Sequence, residues 1–210
     1  DDRERRTAAL GLMLYGEDPA ALAEAKQRFN ETNPGDLPAE IRPLIINANV
    51  RHFETPEMID KLFTIYQNTP SADLQVDIAL SLTSTKNPAT AERILVAIKD
   101  ANIIRPQDAS RWFIYLIRTR ENRQIAWNWL KENWQWIEDT FKGDKSYDNF
   151  IRYAASALLT RDELNDFTEF TTPLRAEPAL TRTIDLGIRE IAGRVALIER
   201  DQAAVIKALE

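Results

Sequence analysis

The chain has 210 residues but no cysteine, and it has one histidine, His52. Without cysteine it can form neither a disulfide framework nor a thiolate metal site, and it has no cysteine nucleophile. One histidine is too few for a multi-histidine zinc site. Because a cysteine-free composition suits a reducing compartment, we expect a cytoplasmic location.

Long apolar runs and an excess of positive charge are also missing. No stretch approaches the roughly 20 apolar residues that span a bilayer, and the first six residues are all charged, unlike a signal peptide. Asp and Glu number 33 against 27 Lys and Arg, whereas phosphate binding needs clustered basic residues. We therefore expect no membrane and no nucleic acid as a partner. The chain starts without Met and enters a helical pattern almost at Asp1, which we interpret as a piece of a larger protein.

Apolar residues recur at three- and four-residue spacing with almost no sustained alternation, which predicts an all-α fold. A capping side chain followed by proline is a typical helix start, because proline lacks the N–H that the first helical position leaves unpaired. Such starts recur about every 35 residues, the spacing of helical-hairpin repeats. They lie at Asp18-Pro19, Thr55-Pro56 and Asn87-Pro88, with comparable starts at Asn122 and Asp162.

We predict one domain over residues 1–210, built as a right-handed, HEAT-like α–α superhelix of about six antiparallel helix pairs. Stripes such as Leu74, Ile78, Ala79 and Leu82 are expected in its core. The polar run 142–146 predicts an exposed loop. The predicted pairs are 2–14 with 18–29, 40–51 with 56–68, 71–82 with 88–99, 107–117 with 122–133, 147–159 with 162–171, and 181–198 with 201–209.

The segment 125–137 carries four of the five tryptophans. If it is one helix, Trp127 and Trp134 lie on one side while Trp129 and Trp136 lie nearly opposite. A helix that is apolar on two sides is usually packed between neighbours, so we expect core residues here. An aromatic ligand platform is the alternative.

No catalytic motif is visible. Phe53 and Glu54 follow His52, so the zinc-protease pattern H-E-x-x-H is missing, and we interpret His52 as a helix-end residue. The six glycines form neither a phosphate-binding nor a dinucleotide-binding loop. Pairs of carboxylates are common in an acidic helical protein, so a carboxylate-dependent hydrolase stays open as a further hypothesis.

Arginines cluster around the helix predicted over 107–117. Arg111 and Arg118 are seven residues apart and share a helix face, where guanidinium groups can bind a peptide carboxylate bidentately. The alternative is pairing with neighbouring Asp and Glu. The substrate-cavity candidates are Arg105, Arg111, Tyr115, Arg118 and Arg152.

The order of several short segments resembles the C-terminal helical, ERAP-type domain of aminopeptidase N-type zinc metallopeptidases. Each segment is mainly a helix-packing or turn motif, and the resemblance lies in their succession over about Leu10 to Phe141. The segments are Tyr15-Gly16-Glu17-Asp18, Ala25-Lys26-Gln27-Arg28-Phe29, Leu37-Pro38-Ala39-Glu40-Ile41-Arg42, Asp73-Leu74 through Ile78-Ala79-Leu80 to Asn87-Pro88, Ile104-Arg105-Pro106-Gln107-Asp108, and Ala126-Trp127 with Glu132-Asn133-Trp134.

The resemblance implies a division of labour within a larger enzyme. In that family H-E-x-x-H and a downstream glutamate bind zinc, and a G-x-M-E-N segment binds the peptide amino terminus. None of these motifs is in this chain. The resemblance therefore implies a non-catalytic domain that holds no cofactor, is inactive alone, and encloses the zinc site of a parent enzyme that removes amino-terminal residues from peptides. Its partners would be the catalytic domain of the same chain and peptide substrates. The alternative is a free-standing HEAT-like scaffold that binds protein partners.

Overall fold

A computed structural model describes residues 2–144 and 147–209, which contain α-helices, short 3-10 helices and no strand. The predicted all-α fold is confirmed. The 3-10 helices are Pro34–Asp36 and Pro173–Ala176. The α-helices are α1 (Asp2–Tyr15), α2 (Pro19–Glu31), α3 (Arg42–Phe53), α4 (Pro56–Asn68), α5 (Ala72–Leu82), α6 (Pro88–Ile98), α7 (Pro106–Arg118), α8 (Arg123–Glu132), α9 (Trp134–Phe141), α10 (Asn149–Ala157), α11 (Arg161–Thr171) and α12 (Pro178–Leu209).

The helices form two compact units, Asp1–Asn122 and Arg123–Glu210. The single domain over residues 1–210 and the right-handed superhelix stay predictions. Of the predicted loop at 142–146, Lys142, Gly143 and Asp144 are exposed, and residues 145 and 146 lie outside the described residues.

The predicted cap-and-proline starts are confirmed in the first unit. The Asp18 carboxylate accepts hydrogen bonds from the N–H groups of Ala20 and Ala21, and α2 begins at Pro19. Thr55 and Asn87 cap α4 and α6 in the same way. These side chains satisfy N–H groups that the first helical turn leaves unpaired.

In the first unit α3 packs against α2 and α5, α4 packs against α5, and α6 packs against α7. The predicted stripe on α5 is buried, with Ile78 and Leu82 fully inaccessible to solvent. Polar contacts also join successive pairs: Arg42 Nε donates to Asp77 Oδ2 at 2.7 Å, and Asn122 Nδ2 donates to the Thr85 carbonyl oxygen at 2.8 Å.

In the second unit the helix predicted over 122–133 is confirmed as α8 within one residue at each end, but α9 is not among the predicted helices and the last predicted pair is wrong. The tryptophan segment 125–137 is not one helix, because α8 ends at Glu132 and α9 starts at Trp134. Asn133 lies between them, and its Nδ2 donates to the Trp129 carbonyl oxygen at 2.8 Å. An asparagine amide that binds the backbone four residues earlier competes with helix continuation. The expected burial is largely confirmed, since Trp127 and Ile137 are fully buried and Trp129 and Trp134 nearly so.

The predicted last pair, 181–198 with 201–209, is instead part of one continuous helix, α12. The linking residues Glu199 and Arg200 are good helix formers, and no glycine or proline interrupts the chain there. The Arg161 guanidinium pairs with Glu199 at 2.6 Å. Helix α12 packs against α10 and α11. Its buried residues are Leu180, Ile184, Gly187, Ile191 and Val195.

Candidate functional site

Helix α7 presents the predicted arginines because one side of it is buried. The apolar side contains Ala109, Trp112, Phe113, Leu116 and Ile117. Arg111 and Arg118 are exposed on the same helix, and Tyr115 between them is half-buried. Arg105 precedes the helix in extended backbone geometry, with φ −61° and ψ 142°.

Arg105 and Arg111 line the same cleft, which has a volume of about 180 Å³. Tyr115 and Arg118 are not among its lining residues. The remaining wall comes from the last turn of α4, from α5 and from α7. It consists of Tyr66, Ala72, Gln75, Val76, Ala79, Asp108 and Trp112.

Asp108 lies between the two arginines of this cleft. Arg105 Nη2 is 2.9 Å from Asp108 Oδ2, and Arg111 Nη1 is 3.8 Å from Asp108 Oδ1. Arg105 also donates to Gln75 Oε1 at 3.3 Å. The predicted alternative of pairing with a neighbouring carboxylate is therefore realised for both. Two guanidinium groups against one carboxylate leave the cleft with positive charge that a ligand carboxylate can meet.

Tyr66 supplies a hydroxyl to the same cleft. The Trp112 indole Nε1 donates to the Tyr66 hydroxyl at 3.3 Å, and the two rings meet edge to face at 5.0 Å. Burial raises the pKa of Tyr66, against the opposing effect of the Trp112 hydrogen bond. The phenol therefore stays protonated at neutral pH and can donate a hydrogen bond to an acceptor in the cleft.

Arg152 belongs to the second unit and lines a different cleft, of about 320 Å³, between α10 and α12. Its guanidinium carbon is 5.6 Å from the centre of the Tyr153 ring. The other lining residues are Asp148, Arg182, Thr183, Leu186, Gly187 and Glu190. Arg182 is thus a second guanidinium at this cleft that sequence reasoning did not select.

Sequence reasoning also missed Tyr66, Gln75 and Asp108. Asp108 carried a signal, since it lies three residues before Arg111 on α7 and three after Arg105, the residue that precedes this helix, and charged side chains at such a spacing can meet. Tyr66 carried no sequence signal, because it is about 40 residues before the arginines of the cleft and lies at the cleft through packing on Trp112.

The described residues contain no group of three or more His, Asp or Glu that could hold a metal ion. His52 lies one residue before the end of α3, as predicted. Burial and the neighbouring Lys86 lower the pKa of His52. In the described part of the chain, no helix is both long and apolar enough to cross a membrane.

Comparison with known proteins gives matches over almost the whole chain. The family model of the ERAP1-like C-terminal domain matches residues 1–193. Aminopeptidase N of Lactobacillus helveticus is 34% identical over 207 residues, covering 98% of this chain and 24% of that protein. Aminopeptidase N of Lactococcus lactis subsp. cremoris (strain MG1363) is 31% identical over 99% of this chain and 25% of that protein.

A mammalian relative matches a shorter part. Glutamyl aminopeptidase of Bos taurus is 28% identical over 138 residues, 65% of this chain and 14% of that protein. The chain spans about a quarter of the length of the bacterial relatives that it matches. Because the family model covers most of its length, the chain belongs to the ERAP1-like C-terminal domain family.

Proposed function

We propose that the chain is the non-catalytic C-terminal domain of a zinc aminopeptidase, in which it encloses the active site and limits the entry of peptides. The family match over residues 1–193 carries this proposal, together with relatives named aminopeptidase N that are about four times as long as the chain. The zinc ligands and the catalytic base would lie in the rest of the parent chain. The cytoplasmic location expected from the lack of cysteine belongs to the same proposal.

A helical lid is a physically reasonable device for a peptidase. Stacked helix pairs form an extended surface, and enclosing an active site excludes water and strengthens the electrostatic interactions inside it. Enclosure also restricts substrates to chains thin enough to enter. Such a domain needs no catalytic residue of its own.

Exposed apolar side chains support docking of this domain onto the rest of a larger chain. On α1, Leu12 is 73% and Tyr15 is 89% exposed. On α12, Leu197, Val205 and Leu209 are at least half exposed. Large apolar side chains left open to solvent are typical of a surface that another domain covers.

In this proposal the cleft at Arg105 and Arg111 attracts peptide carboxylates. The two guanidinium groups exceed the charge of Asp108, and the protonated Tyr66 hydroxyl adds a donor beside them. Arginine pairs carboxylates through two parallel hydrogen bonds. The substrate groups concerned are the carboxyl terminus and acidic side chains of a peptide.

The first test is aminopeptidase activity toward amino-acid anilides, measured for the full-length gene product and for this chain, each with and without a zinc chelator. We expect chelator-sensitive activity in the full-length protein alone. Activity in neither protein would favour the free-standing scaffold, and activity in the chain itself would overturn both hypotheses.

The second test addresses the cleft. In the full-length enzyme, Arg105→Ala and Arg111→Ala should each raise KM about three- to tenfold for peptides with a free carboxyl terminus, as expected for loss of one charge-assisted hydrogen bond. Hydrolysis of an anilide, which lacks that carboxylate, should be unchanged. Arg200→Ala, an exposed arginine that lines none of the described clefts, is the matched control. Unchanged peptide kinetics in both cleft variants would eliminate the cleft as a substrate contact.

A further inference from the structure

A third cleft, of about 380 Å³, lies in the first unit among α2, α3 and α4. It is separate from the arginine cleft, with which it shares no lining residue. Three apolar side chains, Phe29, Phe53 and Met58, form part of its wall. The polar lining residues are Lys26, Asn30, Asn49, Thr55, Glu57 and Lys61.

Two lysines bring positive charge to this cleft. Lys26 Nζ is 4.6 Å from the centre of the Phe53 ring, and Lys61 Nζ is 5.9 Å from the centre of the Phe29 ring. Within the described residues neither ammonium group has a carboxylate partner. Ammonium groups held over aromatic rings are positioned but not neutralised, so they can still bind an anion.

Asn49 adds a buried acceptor that no described residue pairs with. Its side chain is fully buried, and its Nδ2 donates to the carbonyl oxygens of Ala25 at 3.0 Å and Ile45 at 2.9 Å. These two bonds fix the orientation of the amide. Asn49 Oδ1 then accepts no hydrogen bond from any residue that the structure describes. An unpaired buried acceptor is costly, and Asn49 is a lining residue of the cleft, so a donor from a molecule bound there would stabilise this atom by coming within hydrogen-bond distance of it.

The N-terminus of α4 forms another part of the wall. Thr55 caps this helix of 13 residues by accepting a hydrogen bond from the Met58 N–H at 3.2 Å. The partial positive charge of a helix N-terminus favours a negatively charged group nearby. Glu57 contributes one carboxylate to the same wall, which provides a partner for a positive group.

We propose that this cleft binds a free apolar α-amino acid. The carboxylate pairs with Lys26 and Lys61 beside the α4 N-terminus. The ammonium group donates to Asn49 Oδ1 and faces Glu57. The side chain packs on Phe29, Phe53 and Met58. This assignment is independent of the proposed function, because it uses only the groups around this cleft, none of which belongs to the arginine cleft.

The NMR signals of methionine methyl groups report directly on binding in this cleft. The chain has two methionines, and of these Met58 lines the cleft. The 210-residue chain is labelled with methyl-13C methionine and titrated with L-leucine or L-phenylalanine. We expect the Met58 resonance to shift saturably with Kd in about the millimolar range, as for a small and partly exposed ligand. Met13 on α1 is the internal control and should not move. Absence of any Met58 shift would overturn the proposal, and a bound water alone would then account for Asn49.

Analogues and variants test each contact separately. L-leucinamide lacks the carboxylate and N-acetyl-L-leucine lacks the ammonium group, so each should bind at least about tenfold more weakly than L-leucine. Equal affinity for N-acetyl-L-leucine would contradict the ammonium contact and indicate the carboxyl-terminal residue of a peptide as the ligand.

Lys26→Ala and Lys61→Ala should weaken L-leucine binding about tenfold, since each removes one charged donor. Both side chains are exposed, so we expect the fold to be kept, and far-ultraviolet circular dichroism checks that each variant has the original helix content. Lys207→Ala makes the same charge change on α12, outside the cleft, and should leave Kd unchanged. Unaltered affinity in both cleft variants would refute the assigned carboxylate site.

Discussion

The N-terminal ends of the helices are capped differently in the two units. In the first unit the side chains of Asp18, Thr55, Ser71 and Asn87 each accept a hydrogen bond from the first turn of the helix that follows. In the second unit Thr160 does so through a capping box, whereas the residues that precede α9 and α10 make no such bond. In the first unit Ile41 and Arg105, which precede α3 and α7, make no such bond either, but a proline lies in the first turn of each of these helices. A capping side chain or a proline therefore marks every helix start from α2 to α7, whereas α9 and α10 have neither and depend more on packing.

Two contacts illustrate the dependence on packing in the second unit. Gly187 lets α12 approach closely, because a Cβ placed there would lie 2.8 Å from the Ala155 Cβ and 3.1 Å from Phe167. Asp166 on α11 accepts hydrogen bonds from both Trp127 Nε1 and Lys131 Nζ at 2.6 Å, which joins α11 to α8. Both contacts involve residues distant in sequence, so no local signal marks them.

The largest effect is expected at Gly187. Gly187→Leu forces a side chain against Ala155 and Phe167, and overpacking of a tight helix contact costs about 3 kcal/mol. Chemical denaturation followed by circular dichroism would measure the loss of unfolding free energy. A loss near zero would mean that α12 can shift away from α10 freely, and the contrast between the units would fail.

Gly193 provides the matched control on the same helix. A Cβ there meets no heavy atom within 4 Å, so Gly193→Ala adds no clash. Alanine is favoured over glycine in a helix interior, and we expect stabilisation of about 0.5–1 kcal/mol. Opposite signs for these two substitutions would assign the Gly187 effect to packing rather than to helix propensity.

The next largest effect on the free energy of unfolding is expected at Asp166, and this effect depends on pH. Burial alone would raise the pKa of Asp166, but the hydrogen bonds from Lys131 and Trp127 outweigh it and hold the pKa below its ordinary value of 3.8. The folded state therefore favours the ionised carboxylate. Its stabilisation is complete above the unfolded-state pKa and is lost as the pH falls through the lower folded-state pKa.

Asp166→Asn should therefore destabilise the protein by about 1 kcal/mol at pH 7. This is less than the full value of a charged hydrogen bond, because the site is partly exposed to solvent. The difference from the original protein should close as the pH falls below 3.8. Unfolding free energies of both proteins, determined at a series of pH values, measure this difference. Asp139→Asn, at an exposed carboxylate on α9, is the control and should show almost no difference at any pH. A pH-independent gap for Asp166→Asn would exclude the charge as its cause.

The same contrast explains which features the sequence predicts. The helices that begin at Pro19, Pro56 and Pro88 are predicted to the residue or nearly so, because a capping side chain and a proline stand directly at each start. The end of α8 is predicted within one residue, but α9 is not predicted as a separate helix, because the apolar positions 127, 130, 134 and 137 keep a helical period across Asn133. The continuity of α12 is not predicted, because the apolar pattern changes after residue 198 and is interpreted as a turn between two helices.

The lining residues of the clefts also differ in whether local sequence or helix packing determines their position. Arg105 and Arg111 are predictable as neighbours, because Arg105 directly precedes α7, Arg111 lies on α7, and this helix has a clear apolar side. Tyr66 and Asn49 are not predictable as lining residues, because their positions result from the packing of separate helices. An unpaired acceptor such as Asn49 Oδ1 is a property of three-dimensional surroundings, and no single-sequence pattern reports it.

The smallest of these effects on the folded chain is expected at a locally encoded boundary. Asp18→Ala removes the acceptor for the N–H groups of Ala20 and Ala21 and should cost about 0.5 kcal/mol, the low end of the range for helix caps, because this cap is partly exposed. Asp18→Asn keeps an acceptor oxygen and should stay close to the original stability. Native-state hydrogen exchange gives a local readout, because fraying of α2 should speed exchange near Ala21 more than at the α4 start capped by Thr55. Equal acceleration at both helix starts would mean that the caps act only through global stability, and the boundaries of the first unit would then depend on packing as well.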